Sequence, residues 1–576
     1  MKTERQMQRK FLLKDGDYQS TKEVFERVAK IIPDRPLLAD LDKNKNIVYH
    51  TAKEILSDIE NIGDGLIDLG LEGKHIAISA DNSYRYVICD LSVAGGVGVV
   101  TPIDRDAPED LFTTLLNKCD ADALICSAHL IEKVQKVLPN CKNLKTIITI
   151  DKKVEGFICL DEVIEKGKQL APKQIYHNKK LKLGETVEIL FTSGTTGANK
   201  GVELTQNNLS ANIINCLDTI KGDNGKTNTS MSILPMHHAT EINTHIMPRI
   251  AAGRLTYIND SLKNMMNNIK IFKPYVITIV PMIANAFYKT IWENAKKAGK
   301  DKKLEKGIKL TNSLRKLHID ITHKLFKEVY APFGGNLKQI VCGGAMLNPE
   351  VVKGFNDLGV VMINGYGITE CGPLVSMNAD TLNEPYSVGK ICPNLKAKLD
   401  NIDENGIGEL CIKGKSVSKG YYKDSKSTKL VYDFKGYFHT GDLAKIDDQG
   451  RVFLTGRKKN VIILDNGKNV CPEEIENEIE IHLPYAKDVV VYPAQKQTGK
   501  ITQTIICAGV FIEDENTRKD KNKILNDFRE INKLLPNYKR VNFVNLPDSE
   551  YEKTSTRKIK RTTVMEKHNE KTGISV

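Results

Sequence analysis

Apolar residues along the chain fall into short runs separated by longer amphipathic stretches, the alternation expected of strands and helices. His75-Ile76-Ala77-Ile78-Ser79, Ala123-Leu124-Ile125-Cys126 and Thr146-Ile147-Ile148-Thr149-Ile150 read as strands. Tyr86 to Ala94 reads as a helix, and the glycine-rich run Gly95 to Pro102 as the strand after it. Val187-Glu188-Ile189-Leu190-Phe191 is a further strand. Leu209, Ile213 and Leu217 then share one helical face, with Thr205 placed as its N-cap. Residues 286 to 330 form a long lysine-rich helical region. Leu337 to Cys342 and Val360 to Ile363 read as strands running into Gly343-Gly344-Ala345 and Asn364-Gly365-Tyr366-Gly367. Glycine turns there suggest ligand contacts at the carboxyl ends of a parallel sheet. The alternation predicts an α/β fold, with parallel sheets covered by helices.

Roughly the last hundred residues change character. Glu473 to Ile481 and Lys521 to Leu535 read as helices, and Val489 to Tyr492, Ile505 to Ile512 and Val541 to Val544 as strands. This is a small α+β module, and the basic turn Gly456-Arg457-Lys458-Lys459-Asn460 is the expected junction. The division expected is a large N-terminal domain, 1–457, and a C-terminal domain, 458–576. A chain of 576 residues is in any case too long for one core.

The hydrophobic fraction of 40% and charged fraction of 27% are those of an ordinary soluble globular chain. The first fifteen residues are polar and basic, unlike a secretory leader. No run reaches the roughly 18 apolar residues that a membrane span needs. The longest, Tyr275 to Tyr288, is interrupted by Pro281 and Asn285. The 12 cysteines include no Cys-x-x-Cys pair, and several sit in apolar runs. Reduced core thiols in a cytoplasmic protein are the expectation, with at most peripheral membrane contact. The net charge of +12 favours anionic partners such as ATP or an acidic carrier protein. No zinc-finger, recognition-helix or RNP-like pattern accompanies it, so no nucleic-acid partner is expected. His238, Glu241 and His245 do not have the His-Glu-x-x-His spacing of a zinc site.

Between the strand ending at Phe191 and Gly201 stands Thr192-Ser193-Gly194-Thr195-Thr196-Gly197-Ala198-Asn199-Lys200. Hydroxyls, glycines and one lysine on a close-approaching loop are what a polyphosphate needs. It is not a Walker A loop, because Asn199 precedes the lysine and Gly201 follows it. The order Thr-Ser-Gly-Thr-Thr-Gly-x-x-Lys-Gly resembles the phosphate-binding signature of the adenylate-forming enzymes, which include acyl-CoA synthetases and nonribosomal adenylation domains. Asn199 replaces the proline usual before the lysine and removes a backbone constraint without deleting a phosphate ligand.

The resemblance implies that Thr192, Ser193, Gly194, Thr195, Thr196, Gly197 and Lys200 hold the phosphates of ATP. Asn364-Gly365-Tyr366-Gly367-Ile368-Thr369-Glu370 resembles the family's second signature. By it, Tyr366 stacks on adenine, Gly365 and Gly367 allow close approach, Thr369 contacts the α-phosphate and Glu370 ligates Mg2+. Gly343, Gly344 and Ala345 resemble the adenine-side loop. In Tyr437-Phe438-His439-Thr440-Gly441-Asp442, Asp442 takes the place of the ribose ligand, and in Gly456-Arg457 the arginine reaches ribose and phosphate. Lys459 falls at the hinge of a mobile C-terminal lid. Lys553-Thr554-Ser555-Thr556-Arg557-Lys558-Ile559-Lys560-Arg561 resembles Lys-Thr-x-x-Gly-Lys-x-x-Arg, with Lys558 as the catalytic lysine and Arg557 in place of the glycine. Gly467, Lys468 and Asn469 resemble the segment facing the pantetheine tunnel.

Leu234-Pro235-Met236-His237-His238-Ala239-Thr240-Glu241 resembles the segment lining the acyl pocket, with His237 and His238 in it. Its form, with the lysine-rich helices, is closest to long-chain fatty acyl-CoA synthetases. The activity implied is ATP-dependent conversion of a medium- or long-chain fatty acid to an acyl-adenylate, then to a thioester of CoA. The same residues fit a ligase that loads a phosphopantetheinyl acyl carrier protein. A non-catalytic nucleotide-binding scaffold is a third reading, disfavoured by the retained signature residues.

Overall fold

The structure is a computed structural model describing residues 12–13, 16–192, 199–219, 228–378, 384–465, 468–498, 501–553, 559–567 and 574–576. It is α/β, as expected, and divides into two compact units: residues 1–397 with 412–438, and residues 398–411 with 439–576.

The first unit is built on two sheets. In the seven-stranded sheet the order is Ile158–Cys159, Thr146–Thr149, Ala123–Cys126, His75–Ser79, Val99–Pro102, Thr186–Thr192 and Lys200–Thr205. All neighbours run parallel except the last two, which form an antiparallel hairpin. The nine-stranded sheet places Gln339–Cys342 between Val276–Ile279 and Val361–Gly367, parallel to both. The long apolar run therefore splits, Val276–Ile279 as strand and Pro281–Lys297 as helix, with Pro281 inside the first helical turn. Its fixed φ and missing N–H suit that position.

Helix Ala52–Asp68 starts on a capping box, Thr51 with Glu54, and buries Ile55, Ile59, Ile62 and Leu66. Helix Gln206–Thr219 starts at the expected cap: the Asn208 N–H donates to Thr205 Oγ1 at 3.2 Å. Leu209, Ile213 and Leu217 of that helix lie in the core.

The glycine-rich run differs from expectation. Only Val99–Pro102 is strand, while Val93–Val97 is a wide helical turn with Gly96 at φ +154°. The cause is Tyr176, whose hydroxyl donates to the Ser92 carbonyl at 3.0 Å. A Cβ on Gly95 would stand 2.4 Å from that hydroxyl oxygen, so the backbone yields to the ring.

The second unit includes, from His439 onward, the hairpin of strand Phe438–Ile446 with Val452–Arg457. It also holds a sheet ordered Asp488–Thr498, Ile501–Phe511, Phe543–Asn545, Ile574–Ser575. Helices Pro472–His482 and Lys521–Leu534 supply Ile475, Ile479, Phe528 and Ile531 to a core with Val489, Val491 and Ile506. Compactness thus groups Asp442 and Arg457 with the C-terminal residues. The hairpin register, Asp442 opposite Arg457, carries the two together.

All 12 cysteines are free thiols, ten of them buried. No helix among the described residues is long and apolar enough to cross a membrane.

Candidate active site

In the first unit the hairpin of Thr186–Thr192 with Lys200–Thr205 sets Thr192 opposite Lys200 in register. Ser193, Gly194, Thr195, Thr196 and Gly197 lie outside the described residues. Gly201 sits where a Cβ would be 2.8 Å from Ile189 Cγ2, so only glycine lets the returning strand lie flat against its partner. A third segment docks on this strand. The Glu203 N–H donates to the Gly420 carbonyl at 3.0 Å, and the Tyr422 N–H to the Gly201 carbonyl at 2.8 Å. This places the Tyr421 ring centroid 4.8 Å from Lys200 Nζ. The Tyr421 hydroxyl donates to Glu370 Oε1 at 2.8 Å. Burial first, then the Glu370 charge, pushes the Tyr421 phenol well above its ordinary range, so it stays a donor.

Glu370 lies in the turn Thr369–Cys371 beyond strand Val361–Gly367 and is buried, while Thr369 beside it is half-buried. Its backbone carbonyl accepts from the Ser418 N–H at 2.8 Å. Carboxylate oxygens are hard ligands of the kind that suit Mg2+.

The two glycine turns come together. Cys342 pairs with Asn364 in the parallel sheet, so Gly343-Gly344-Ala345 and Gly365-Tyr366-Gly367 emerge side by side. A Cβ on Gly343 would lie 2.9 Å from the Gly365 carbonyl oxygen, and one on Gly367 would lie 2.7 Å from that of Pro373. Gly344 has φ +89°. Gly344 and Ala345 are exposed and Tyr366 is buried.

The His237 and His238 rings lie tilted at 54° with 4.1 Å between centroids, next to buried Met236. Burial first and Arg105 second push the His237 pKa down to about 4, so its ring is neutral near pH 7. His245 is otherwise engaged: its ring nitrogens meet Glu241 Oε1 at 2.9 Å and Ser230 Oγ at 3.0 Å.

In the second unit Arg457 Nε lies 2.8 Å from Asp442 Oδ1, and Asp442 is buried. Lys459 is exposed in the turn Lys458–Asn460. Lys468 Nζ sits 4.2 Å from the Tyr538 ring centroid and Asn469 is exposed, while Gly467 lies outside the described residues. Lys558 also lies outside them, but both ends of its loop are described. Lys553 pairs with Ile559, and the Lys560 N–H donates to the Glu552 carbonyl at 2.9 Å. Lys553 Nζ reaches Asp488 Oδ1 at 2.7 Å. Arg561 grips Glu476 with both terminal nitrogens, at 2.6 and 2.9 Å. These anchors were not foreseen, although Lys553 and Arg561 flank the signature itself.

Among the described residues one group has metal-ligand spacing, Asp400, Glu409 and His439. Lys458 Nζ already pairs with Glu409 Oε2 at 2.8 Å. This ammonium occupies the charge a cation would take.

Two hydrogen-bonded strand ends bearing glycines, a lysine-closed hairpin and a buried carboxylate thus lie in one unit, and they match a known pattern. The AMP-binding enzyme family profile matches residues 25–422. The chain belongs to that family. Its class of activity is that of an AMP-forming acid–thiol ligase, and adenylate-forming enzymes act on ATP. The long-chain-fatty-acid–CoA ligase FadD15 of Mycobacterium bovis is 25% identical over 477 residues, 78% of this chain and 76% of that protein. Long-chain-fatty-acid–CoA ligase 5 of Rattus norvegicus is 26% identical over 495 residues, 80% and 72% of the two chains. Of solved structures, the anthranilate CoA ligase AuaEII with anthranoyl-AMP superposes with a TM-score of 0.77 at 16% identity, over 96% of this chain and 97% of that one. The adenylation domain of a carboxylate reductase from Mycobacterium chelonae gives 0.78 at 19% identity, over 96% and 90%. At those identities the structures bear on the fold alone.

Proposed function

We propose that this chain activates a medium- or long-chain fatty acid with ATP and Mg2+ and passes the acyl group to CoA. A carboxylate is a poor electrophile because its leaving group is oxide. A carboxylate oxygen therefore attacks the α-phosphorus of ATP, the bond to pyrophosphate breaks, and a mixed acyl–phosphate anhydride forms. The thiol then attacks the acyl carbon and AMP leaves. Mg2+, held by Glu370, supplies positive charge against the phosphate oxygens.

The chain's own residues meet the other requirements. Lys200 and the Thr192–Gly197 loop hold the β- and γ-phosphates, which leave as pyrophosphate. Gly343 to Ala345 and Gly365 to Gly367 give adenine a flat approach beside Tyr366. Thr369 contacts the α-phosphate. Asp442 takes the ribose hydroxyls as a two-oxygen acceptor, aligned by Arg457. Lys558 places a cation against the charge that grows at the α-phosphate. Lys459 serves as the hinge, dividing residues 1–457 from 458–576, and Gly467, Lys468 and Asn469 line the thiol's approach.

The observation that carries the reading is the cluster of Lys200, Tyr421 and Glu370 beside the paired adenine-side glycines. The fatty-acid assignment rests on the relatives and on the His237–His238 segment, neutral at His237 and flanked by the core residues Met236 and Ala239. A neutral imidazole suits an alkyl chain better than a second carboxylate or a substrate ammonium. A cytoplasmic site of action is part of the proposal.

Pyrophosphate exchange across a panel of acids, from acetate to long-chain fatty acids with benzoate and amino acids included, tests the substrate class. Thioester formation with CoA and with a phosphopantetheinyl carrier protein, compared side by side, tests the acceptor. Activity with benzoate or an amino acid and none with fatty acids contradicts the substrate assignment. Acylation of the carrier alone contradicts the acceptor.

A further inference from the structure

Tyr421 stands between the two charged groups on which the nucleotide site is built. Its hydroxyl donates to Glu370 Oε1 at 2.8 Å, and its ring faces Lys200 Nζ at 4.8 Å. It is 7% exposed, as is Glu370. These groups lie far apart in sequence, and residues 418–422 tie them together through the backbone. At one end the Ser418 N–H donates to the Glu370 carbonyl, at 2.8 Å. At the other, Lys419 to Tyr422 hydrogen-bond along Gly201 to Glu203, with Val202 bridged to Tyr421. The Tyr432 hydroxyl donates to the Ser418 carbonyl at 2.9 Å and steadies the near end.

We propose that Tyr421 is a positioning residue for the metal–nucleotide complex, its hydroxyl orienting the Glu370 carboxylate and its ring face holding the Lys200 ammonium at the end of the phosphate loop. The proposal rests on the reading of Glu370 as the Mg2+ ligand. The choice of tyrosine has a chemical reason. A lysine or arginine on Glu370 would neutralise the charge that a cation needs. A phenol fixes the carboxylate's rotation with a neutral donor and brings no positive charge of its own. The same ring offers its negative face to an ammonium, an attraction strengthened where water is excluded. One side chain thereby sets the spacing between a cation that grips phosphate and a carboxylate that grips metal.

The bland alternative is that the hydroxyl only satisfies a buried polar group, as buried tyrosines commonly do. Binding and stability separate the two. Four full-length variants are compared with the wild-type chain: Tyr421→Phe, Tyr421→Leu, Glu370→Gln and Tyr432→Phe. The first readout is the Mn2+ dissociation constant in the presence of α,β-methylene-ATP, taken from the electron paramagnetic resonance of free Mn2+. It is recorded in the cold on protein shown folded by near-ultraviolet circular dichroism. The second readout is the Mg2+ half-saturation of pyrophosphate exchange.

Tyr421→Phe keeps the ring and loses only the hydroxyl. A hydrogen bond to a charged group is worth roughly a factor of ten or more, so Mn2+ binding weakens by about that factor. The Mg2+ half-saturation rises in parallel. Tyr421→Leu weakens the nucleotide as well, because Lys200 loses its platform. Tyr432→Phe, which removes a half-buried hydroxyl bonded to Ser418 and not to Glu370, leaves the Mn2+ constant unchanged. Wild-type Mn2+ affinity in Tyr421→Phe alongside weakened affinity in Glu370→Gln overturns the role of Tyr421 and leaves the metal assignment standing. Wild-type affinity in Glu370→Gln overturns the metal assignment and the proposal with it. Equal weakening in Tyr421→Phe and Tyr432→Phe assigns the effect to segment packing and also overturns it.

Discussion

Removing the Arg561 guanidinium disables the loop that carries Lys558 before it touches any chemistry. Arg561 meets Glu476 Oε1 at 2.6 Å and Oε2 at 2.9 Å, lies 3.6 Å from Glu473, and donates to the Val491 carbonyl. Glu476 also accepts the Val491 N–H, at 2.6 Å, so helix Pro472–His482 and strand Asp488–Thr498 are joined through this pair. Burial already pushes the Glu476 pKa up against the opposing pull of Arg561. Arg561→Ala leaves that carboxylate buried without its cation, a change that costs about 3–5 kcal/mol. For a unit of about 150 residues, each kcal/mol moves the melting midpoint by about 2–4 °C, so a fall of about 6–20 °C follows. Differential scanning calorimetry, with hydrogen exchange at Val489 to Tyr492 to localise the change, measures it. Arg561→Lys recovers little, because an ammonium cannot make the two-pronged contact. The double variant Arg561→Met with Glu476→Leu recovers most of the loss, since neither charge is then stranded. An unchanged midpoint in Arg561→Ala, or a double variant no better than the single, refutes the argument.

Other outcomes follow from the same geometry. Gly367→Ala puts a Cβ 2.7 Å from the Pro373 carbonyl oxygen and moves the adenine-side turn, so KM for ATP rises while KM for the acid holds; equal rises contradict the assignment. Asn199→Pro changes ATP affinity without altering acid preference, since Asn199 contributes its carbonyl to Lys118 Nζ at 3.0 Å and proline retains that carbonyl. A shift in acid preference contradicts this placement. Glu188 is pushed up to about 7 by burial, against the lowering pull of its Asn243 hydrogen bond, and its charge faces buried Asp90, whose carboxyl is also pushed up. A carboxyl raised in the folded state favours folding fully below its unfolded pKa, and that favour is lost as pH rises through the folded value. Stability therefore falls from about pH 4.5 to about pH 7, by at most roughly 3 kcal/mol for Glu188. Glu188→Gln raises the melting midpoint at about pH 8 and not at about pH 4.5. An equal effect at both pH values rules out this cause.

Much of the fold was legible because the signals were local. Val187 to Phe191 and Ala123 to Cys126 are apolar runs of strand length, and Thr205 stands at helix register with Leu209, Ile213 and Leu217. The paired glycine turns announced themselves by ending two apolar runs, and the structure pairs Cys342 with Asn364 between them. What stayed hidden depended on distant residues. Gly95 and Gly96 read as strand because Tyr176, whose ring fills the space a Cβ needs, lies some eighty residues on. Tyr421 carries no signal in its own neighbourhood, since its two charged partners come from other segments. Arg561 and Glu476 likewise pair across most of the second unit. Tertiary hydrogen bonds of this kind have no periodicity to read.

The central claim is that this chain joins a fatty acid to the α-phosphate of ATP. Pyrophosphate exchange into ATP measures that step alone, with no thiol present. The account predicts exchange that needs both Mg2+ and a medium- or long-chain fatty acid, and that falls by about a hundredfold or more in Lys558→Ala. Exchange that proceeds without any acid, or that survives undiminished in Lys558→Ala, contradicts it.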